Sequence, residues 1–340
     1  MEGQENMENE IKEISEIKKE NNLSPISIII VVGLIVLASV YTIQFKQAEE
    51  TLGRPARQDS SSLENGIILP VKWGDLGIQM TKAGVIDKTK FESIYSQRGG
   101  LSENEQKMLS NSNNGNIVIS SENSGVILNM LWALGLGNKN PILENGPMMD
   151  KQYGGAGNFA STGGWTLAQG NAMNHYSMHS FIKLTPEQQA LVEKVSKNIY
   201  RPCCGNSVYF PDCNHGMAML GLLELMASQG VSEADMYKTA LIVNSAWFPS
   251  TYETIKIYMK NKGVEWKDVN PKEMLGADYS SGPGFAQIAS QVPPPVQGGG
   301  GSGCGVGGGA PVQQRQQSGC GVGGAPAALP APRQQSGCGI

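Results

Sequence analysis

The chain has 340 residues and a net charge of -4, with 30 acidic against 26 basic side chains. No basic stripe is available to neutralise phosphates, so nucleic acid is excluded as a partner. Aromatics make up only 6 % of residues while methionine is frequent, with 15 copies. About 220 residues, 63–285, have the mixed composition of a folded domain, enough for one sizeable core.

Residues 1–25 are a polar, charged head. From Ile26 to Phe45 there are twenty consecutive residues without a charge. At about 1.5 Å per helical residue, that run matches a hydrocarbon layer of about 30 Å. The preceding region is long and acidic, and no Ala-x-Ala site follows. The run is therefore expected to be an uncleaved signal anchor and the chain's link to a membrane. Lys12, Lys18 and Lys19 before it balance Lys46, Arg54 and Arg57 after it. The positive-inside count is tied, and the short head is expected in the cytoplasm with the C-terminal domain outside. Residues 46–62 are a polar stalk.

The expected fold class is mainly α: one membrane-spanning helix, a mostly helical globular domain, then a disordered Gly/Pro/Cys tail. Gly66–Val71 and Asn116–Ser120 are the best strand candidates. Ser102 with Glu105, Thr185 with Gln188 and Ser232 with Asp235 have the spacing of helix N-terminal capping boxes. Val126 to Leu136 is apolar on nearly all sides, which predicts a buried helix. Tyr153 to Gly164 is a Gly-rich loop lacking the Gly-Lys-Ser/Thr ending of a phosphate loop.

All three histidines of the chain, and the three cysteines of the domain, fall within 41 residues: His175, His179, Cys203, Cys204, Cys213 and His215. Thiolate and neutral imidazole are the side chains that bind borderline and soft transition metals. Asn171 is expected to cap a helix through Ile182, placing His175 and His179 on one face at i,i+4 spacing. Pro202 and Gly205 bracket the Cys203–Cys204 pair in a turn. Asp212 is expected to cap the next helix, with Cys213 in its first turn, where the helix dipole favours the thiolate. That helix runs on as an apolar segment to Gly230. Its single charge, Glu224, is expected at the solvent edge with Ser228; the competing role is to accept an imidazole N–H. Met217 and Met219 are read as core residues.

After residue 285 the composition changes, and residues 286–340 carry three SGCG units with Cys304, Cys320 and Cys338. Such a segment has too little apolar surface to offset ordering entropy and is expected to act as a tether.

These residues point to a membrane-anchored metal-binding protein handling copper or zinc, or doing redox work, with the tail thiols as mobile transfer arms. Its partner would be a metal or thiol exchange partner. Two alternatives stay open. One is a thiol enzyme with Cys213 as nucleophile and His175 or His179 as base. The other is a disulfide-stabilised surface protein crosslinked through its tail into homo-oligomers. Metal identity, substrate and oligomeric state are not legible.

Overall fold

The computed structural model describes residues 61–292. The proposed membrane run Ile26–Phe45, the head before it and the tail thiols lie outside the described residues. Among the described residues no helix is long and apolar enough to cross a membrane. The described part is mainly helical, as expected, with one two-stranded sheet.

After a turn of helix at Ser61–Glu64, strand β1 (Ile67–Gly74) pairs antiparallel with β2 (Asn114–Ile119). Leu69, Val71 and Trp73 of β1 and Ile117 and Ile119 of β2 are buried, while Ile68 and Val118 face out. This is the period-2 pattern of a sheet with one covered face. The register shifts between Ile68 and Lys72, around Pro70, which has no N–H to offer the ladder. Between the strands come α1 (Leu76–Ala83), α2 (Lys88–Ser96) and α3 (Glu103–Ser110). The Ser102–Glu105 capping box forms as its spacing implies.

Helix α4 (Ser124–Gly137) is the apolar run anticipated from sequence, and most of it is buried. It crosses α6 (Asn214–Ser228), the other apolar helix, at van der Waals contact between backbones. A Cβ on Gly135 would lie 2.1 Å from the Met217 carbonyl oxygen, and one on Gly221 would lie 2.6 Å from that of Leu131. Glycine at both positions is what lets these helices approach so closely. Packed around them are α5 (Pro186–Ser196), opened by the Thr185–Gln188 capping box, and α7 (Glu233–Trp247), with α8 (Pro249–Asn261) packed on α7. Met217 and Met219 are fully buried in this core. The end of α6 is fastened to the sheet by Gln229, whose amide donates to the Lys72 carbonyl and accepts from its N–H.

The Gly-rich loop contains only short 3-10 turns. It is pinned by Trp132, which donates to the Ser161 carbonyl at 2.6 Å and packs on Trp165 with ring centres 4.9 Å apart. A last helix, α9 (Gly282–Ala289), crosses the boundary expected at 285 and is followed by the buried Val292.

Candidate metal centre

The segment from Ile199 to Val208 folds back on itself. Tyr200 and Ser207 form an antiparallel bridge, and the Val208 N–H donates to the Ile199 carbonyl. Arg201, Pro202, Cys203, Cys204, Gly205 and Asn206 make the tip. Arg201 organises the corner from inside, with no solvent exposure. Its Nη1 donates to the Asn206 carbonyl at 3.0 Å, and Nη2 donates to the Phe210 carbonyl and to Asp212 Oδ1 at 2.8 Å. The second oxygen of Asp212 accepts from the Asn206 amide at 2.8 Å.

This arrangement moves the helix cap by one residue from the expected position. Both carboxylate oxygens of Asp212 are engaged by Arg201 and Asn206, so Cys213 becomes the N-cap of α6. Its Sγ accepts from the Gly216 N–H at 3.4 Å. Gly216 is needed here: a Cβ on it would meet the Arg201 guanidinium at 2.8 Å. The cysteine sulfur thus sits where the unpaired N–H groups of a helix start favour an anion.

Across from it, Cys203 Sγ lies 3.5 Å from Cys213 Sγ, and all three domain cysteines are free thiols. Cys204 is buried, while Cys203 and Cys213 are partly exposed. His215 is buried against the rings of Trp247 and Phe248, with centres 5.7 and 4.4 Å away. Its Nδ1 is buried and has no hydrogen-bond partner among the described residues. Candidate ligand atoms of Cys203, Cys213 and His215 lie within 4.8 Å of one another, and so do those of Cys204, Asp212 and Cys213. A group of Cys, His and Asp side chains is therefore close enough to hold a metal ion.

The electrostatics separate the three thiols. Hydrogen bonds from Cys203 and Cys204, then the Arg201 charge and His215, hold Cys213 well below the ordinary thiol range against the opposing effect of burial. The hydrogen bonds of Cys203 to Cys204 and Cys213, and its burial, push it up. Burial also raises Asp212, with the neighbouring Cys213 acting in the same direction and Arg201 opposing. The shifts run in opposite directions, Cys213 down and Cys203 and Cys204 up, so Cys213 is the thiol of the three that most readily gives up its proton.

The other two histidines form a separate pair. The expected helix from Asn171 to Ile182 does not exist. Asn171 caps only the 3-10 turn Ala172–Asn174, and Ser177 takes a positive φ of 55°. The N–H groups a helix would need go elsewhere: Ser177 donates to the Leu136 carbonyl and His179 to that of Gly137. The imidazoles still meet, with His175 Nδ1 and His179 Nε2 3.1 Å apart. His175 Nε2 donates to the Gln169 carbonyl at 2.9 Å. A carbonyl can only accept, so in the neutral pair Nδ1 of His175 is the acceptor and His179 Nε2 the donor. Burial, then His175, lowers the pKa of His179. Neither residue belongs to the ligand groups around Cys213.

Glu224 is not at a solvent edge. It is fully buried, and its carboxyl oxygens accept from Asn140 Nδ2 at 2.5 Å and Asn138 Nδ2 at 3.1 Å. Burial without a cation pushes it up to about 8, the two amides opposing. The oxygens of those amides are committed too: Asn138 Oδ1 accepts from the Ile182 N–H, and Asn140 Oδ1 from the Ile142 N–H and Gln189.

Sequence reading missed Arg201, Asp212 as a candidate ligand, and the asparagines of Glu224. The only local signal for the first two was their position beside the cysteines. No family model matches the chain, and neither the curated proteins nor the solved structures contain a match.

Proposed function

We infer that the corner formed by Cys203, Cys204, Cys213 and His215 binds a thiophilic transition ion, zinc or copper(I), in a chain held at a membrane by Ile26–Phe45. The observation that carries this reading is the convergence of Cys203, Cys213 and His215 within 4.8 Å, with an imidazole nitrogen that is buried and unpartnered. With Zn–S bonds of about 2.3 Å, sulfurs on a tetrahedral ion stand about 3.7 Å apart. The 3.5 Å between Cys203 and Cys213 needs only a small adjustment to meet that.

The charge balance supports it as well. Three thiolates and an imidazole on a divalent ion leave one net negative charge, and the buried guanidinium of Arg201 stands beside the thiols. Displacing two thiol protons with a metal is how such a cluster avoids burying bare anions. Asp212 is an alternative oxygen ligand from the same corner.

Metal analysis of the full-length chain, with Cys304, Cys320 and Cys338 changed to Ser to remove the tail thiols, tests the reading. One equivalent of zinc or copper, lost in Cys213→Ser and reduced in His215→Ala, is the expected result. A protein that stays folded and takes up neither ion would overturn it.

A thiol-chemistry reading has its own observation, the Cys213 sulfur at the start of a helix and 3.5 Å from a second sulfur, with a pKa held below the ordinary thiol range. The base nearest Cys213 would then be His215, not His175 or His179. Rapid alkylation of Cys213 at neutral pH in metal-free protein, unaffected by zinc, would favour that reading.

A further inference from the structure

The candidate ligand atoms at the cysteine corner fall into two groups, and the groups share only Cys213. One is Cys203, Cys213 and His215; the other is Cys204, Asp212 and Cys213. Cys213 is fixed between them as the cap of α6. Cys204 is held in the second group by its backbone. Its N–H donates to the Arg201 carbonyl at 3.2 Å, and its own carbonyl accepts from the Gly282 N–H at 2.8 Å. Its side chain is buried, with the sulfur 3.9 Å from the Asn206 carbonyl oxygen. Asp212 is pinned by Arg201 and Asn206, with one hydrogen bond to each carboxylate oxygen. A carboxylate oxygen has two lone pairs, so each of these keeps one for a metal.

The two groups differ from a zinc site in their donor count. Neither alone has the four protein donors of a closed zinc site, which a single zinc ion would have to gather from both. Copper(I) is soft, prefers thiolate and settles with fewer donors. The balance of charge points the same way. Three thiolates and the Asp212 carboxylate carry the negative charges of the corner, and the buried guanidinium of Arg201, which faces them all, carries the positive one. One divalent ion or two monovalent ions leave the same single negative charge. Two divalent ions would leave a buried corner with an uncompensated positive charge.

Resting on the metal-binding reading above, we propose that the corner takes a second ion when that ion is copper(I), as a pair bridged by the Cys213 thiolate. One copper sits on Cys203, Cys213 and His215, and the other on Cys204, Asp212 and Cys213. The buried, unpartnered Nδ1 of His215 serves the first ion only. Thiol protons leave to solvent as the ions bind. No electron is transferred, and both ions stay monovalent. Zinc fills the corner singly, and the second copper(I) loads once copper exceeds one equivalent.

The test is an anaerobic titration of the full-length chain, with Cys304, Cys320 and Cys338 changed to Ser, against a chromophoric copper(I) chelator. A parallel titration uses zinc. The expected result is two equivalents of copper(I) withheld from the chelator, one equivalent of zinc, and a fall to one copper in Cys204→Ser. Saturation at one copper(I) would overturn the second ion and leave the centre standing. Two equivalents retained in Cys204→Ser would place the second ion elsewhere and overturn the bridged pair. X-ray absorption of the two-copper form depends on no variant: a copper neighbour at short range is expected, and its absence would overturn the shared sulfur. Uptake of neither copper(I) nor zinc would remove the centre itself, and this inference with it.

Discussion

Two regions of the domain bury charge in opposite ways. At the cysteine corner, Arg201 is enclosed with Asp212 and the three cysteines, so the buried cation has acidic groups against it. In the last third of α6, Glu224 is enclosed with two amides and no cation. The first region offsets desolvation by setting a cation against acidic groups. The second has only dipoles, and its carboxyl group rises towards neutrality. The same helix thus carries, about three turns apart, a corner with side chains close enough to hold a metal ion and a site that holds a proton.

Breaking the first region should have the largest effect. Arg201→Met removes the cation paired with Asp212 and the side-chain donor to the Asn206 and Phe210 carbonyls, and should destabilise the protein by about 3–5 kcal/mol in chemical denaturation. A loss below about 1 kcal/mol would mean that the guanidinium does not organise the corner.

The second region should appear in the pH dependence. The folded-state pKa of Glu224, about 8, lies above the reference carboxylate value of 4.5. The folded protein therefore keeps a proton that the unfolded chain releases. The associated stability is complete below about pH 4.5 and is lost as pH rises towards 8, by an amount on the order of 5 kcal/mol. Denaturation midpoints measured across this window should fall with pH, and the fall should flatten in Glu224→Gln. Wild-type and variant curves with the same slope would show that Glu224 does not titrate there.

At fixed acid pH, Glu224→Gln should itself cost about 1–2 kcal/mol. The oxygens of Asn138 and Asn140 are taken by Ile182 and Ile142, so neither amide can flip to accept from the new NH2 group. A neutral or stabilising substitution, read at pH 5, would show that the amides rearrange.

The smallest effect belongs to the histidine pair. His179→Ala removes one hydrogen bond at a partly exposed position and should cost less than about 1 kcal/mol. Metal content at the cysteine corner should not change. Loss of the bound ion in this variant would join the pair to the centre after all.

What could be read from the sequence was mostly local. Capping boxes at Ser102 and Thr185, the buried run that became α4, and the two strand segments are set by spacing and polarity within a few residues. Reading failed where distant groups decide. Asn171 does cap a turn, but Leu136 and Gly137 take the N–H groups that would have continued the helix. Asp212 has the chemistry of a cap, yet Arg201 and Asn206 occupy its oxygens and pass that role to Cys213. A lone glutamate on an apolar helix ordinarily marks its wet edge. Here its partners lie more than eighty residues earlier in the chain, where no periodicity points to them. The clustering of Cys203, Cys204, Cys213 and His215 was visible as spacing alone. Their assembly around Cys213, and the separation of His175 and His179 from it, required the fold.

The most direct test of the metal-binding reading is X-ray absorption at the metal edge of the zinc-loaded full-length chain, with the three tail cysteines changed to Ser. The account predicts a first shell of sulfur at about 2.3 Å, with one nitrogen at about 2.0–2.1 Å that disappears in His215→Ala. A shell made only of oxygen and nitrogen donors, or one unchanged by Cys213→Ser, would contradict it.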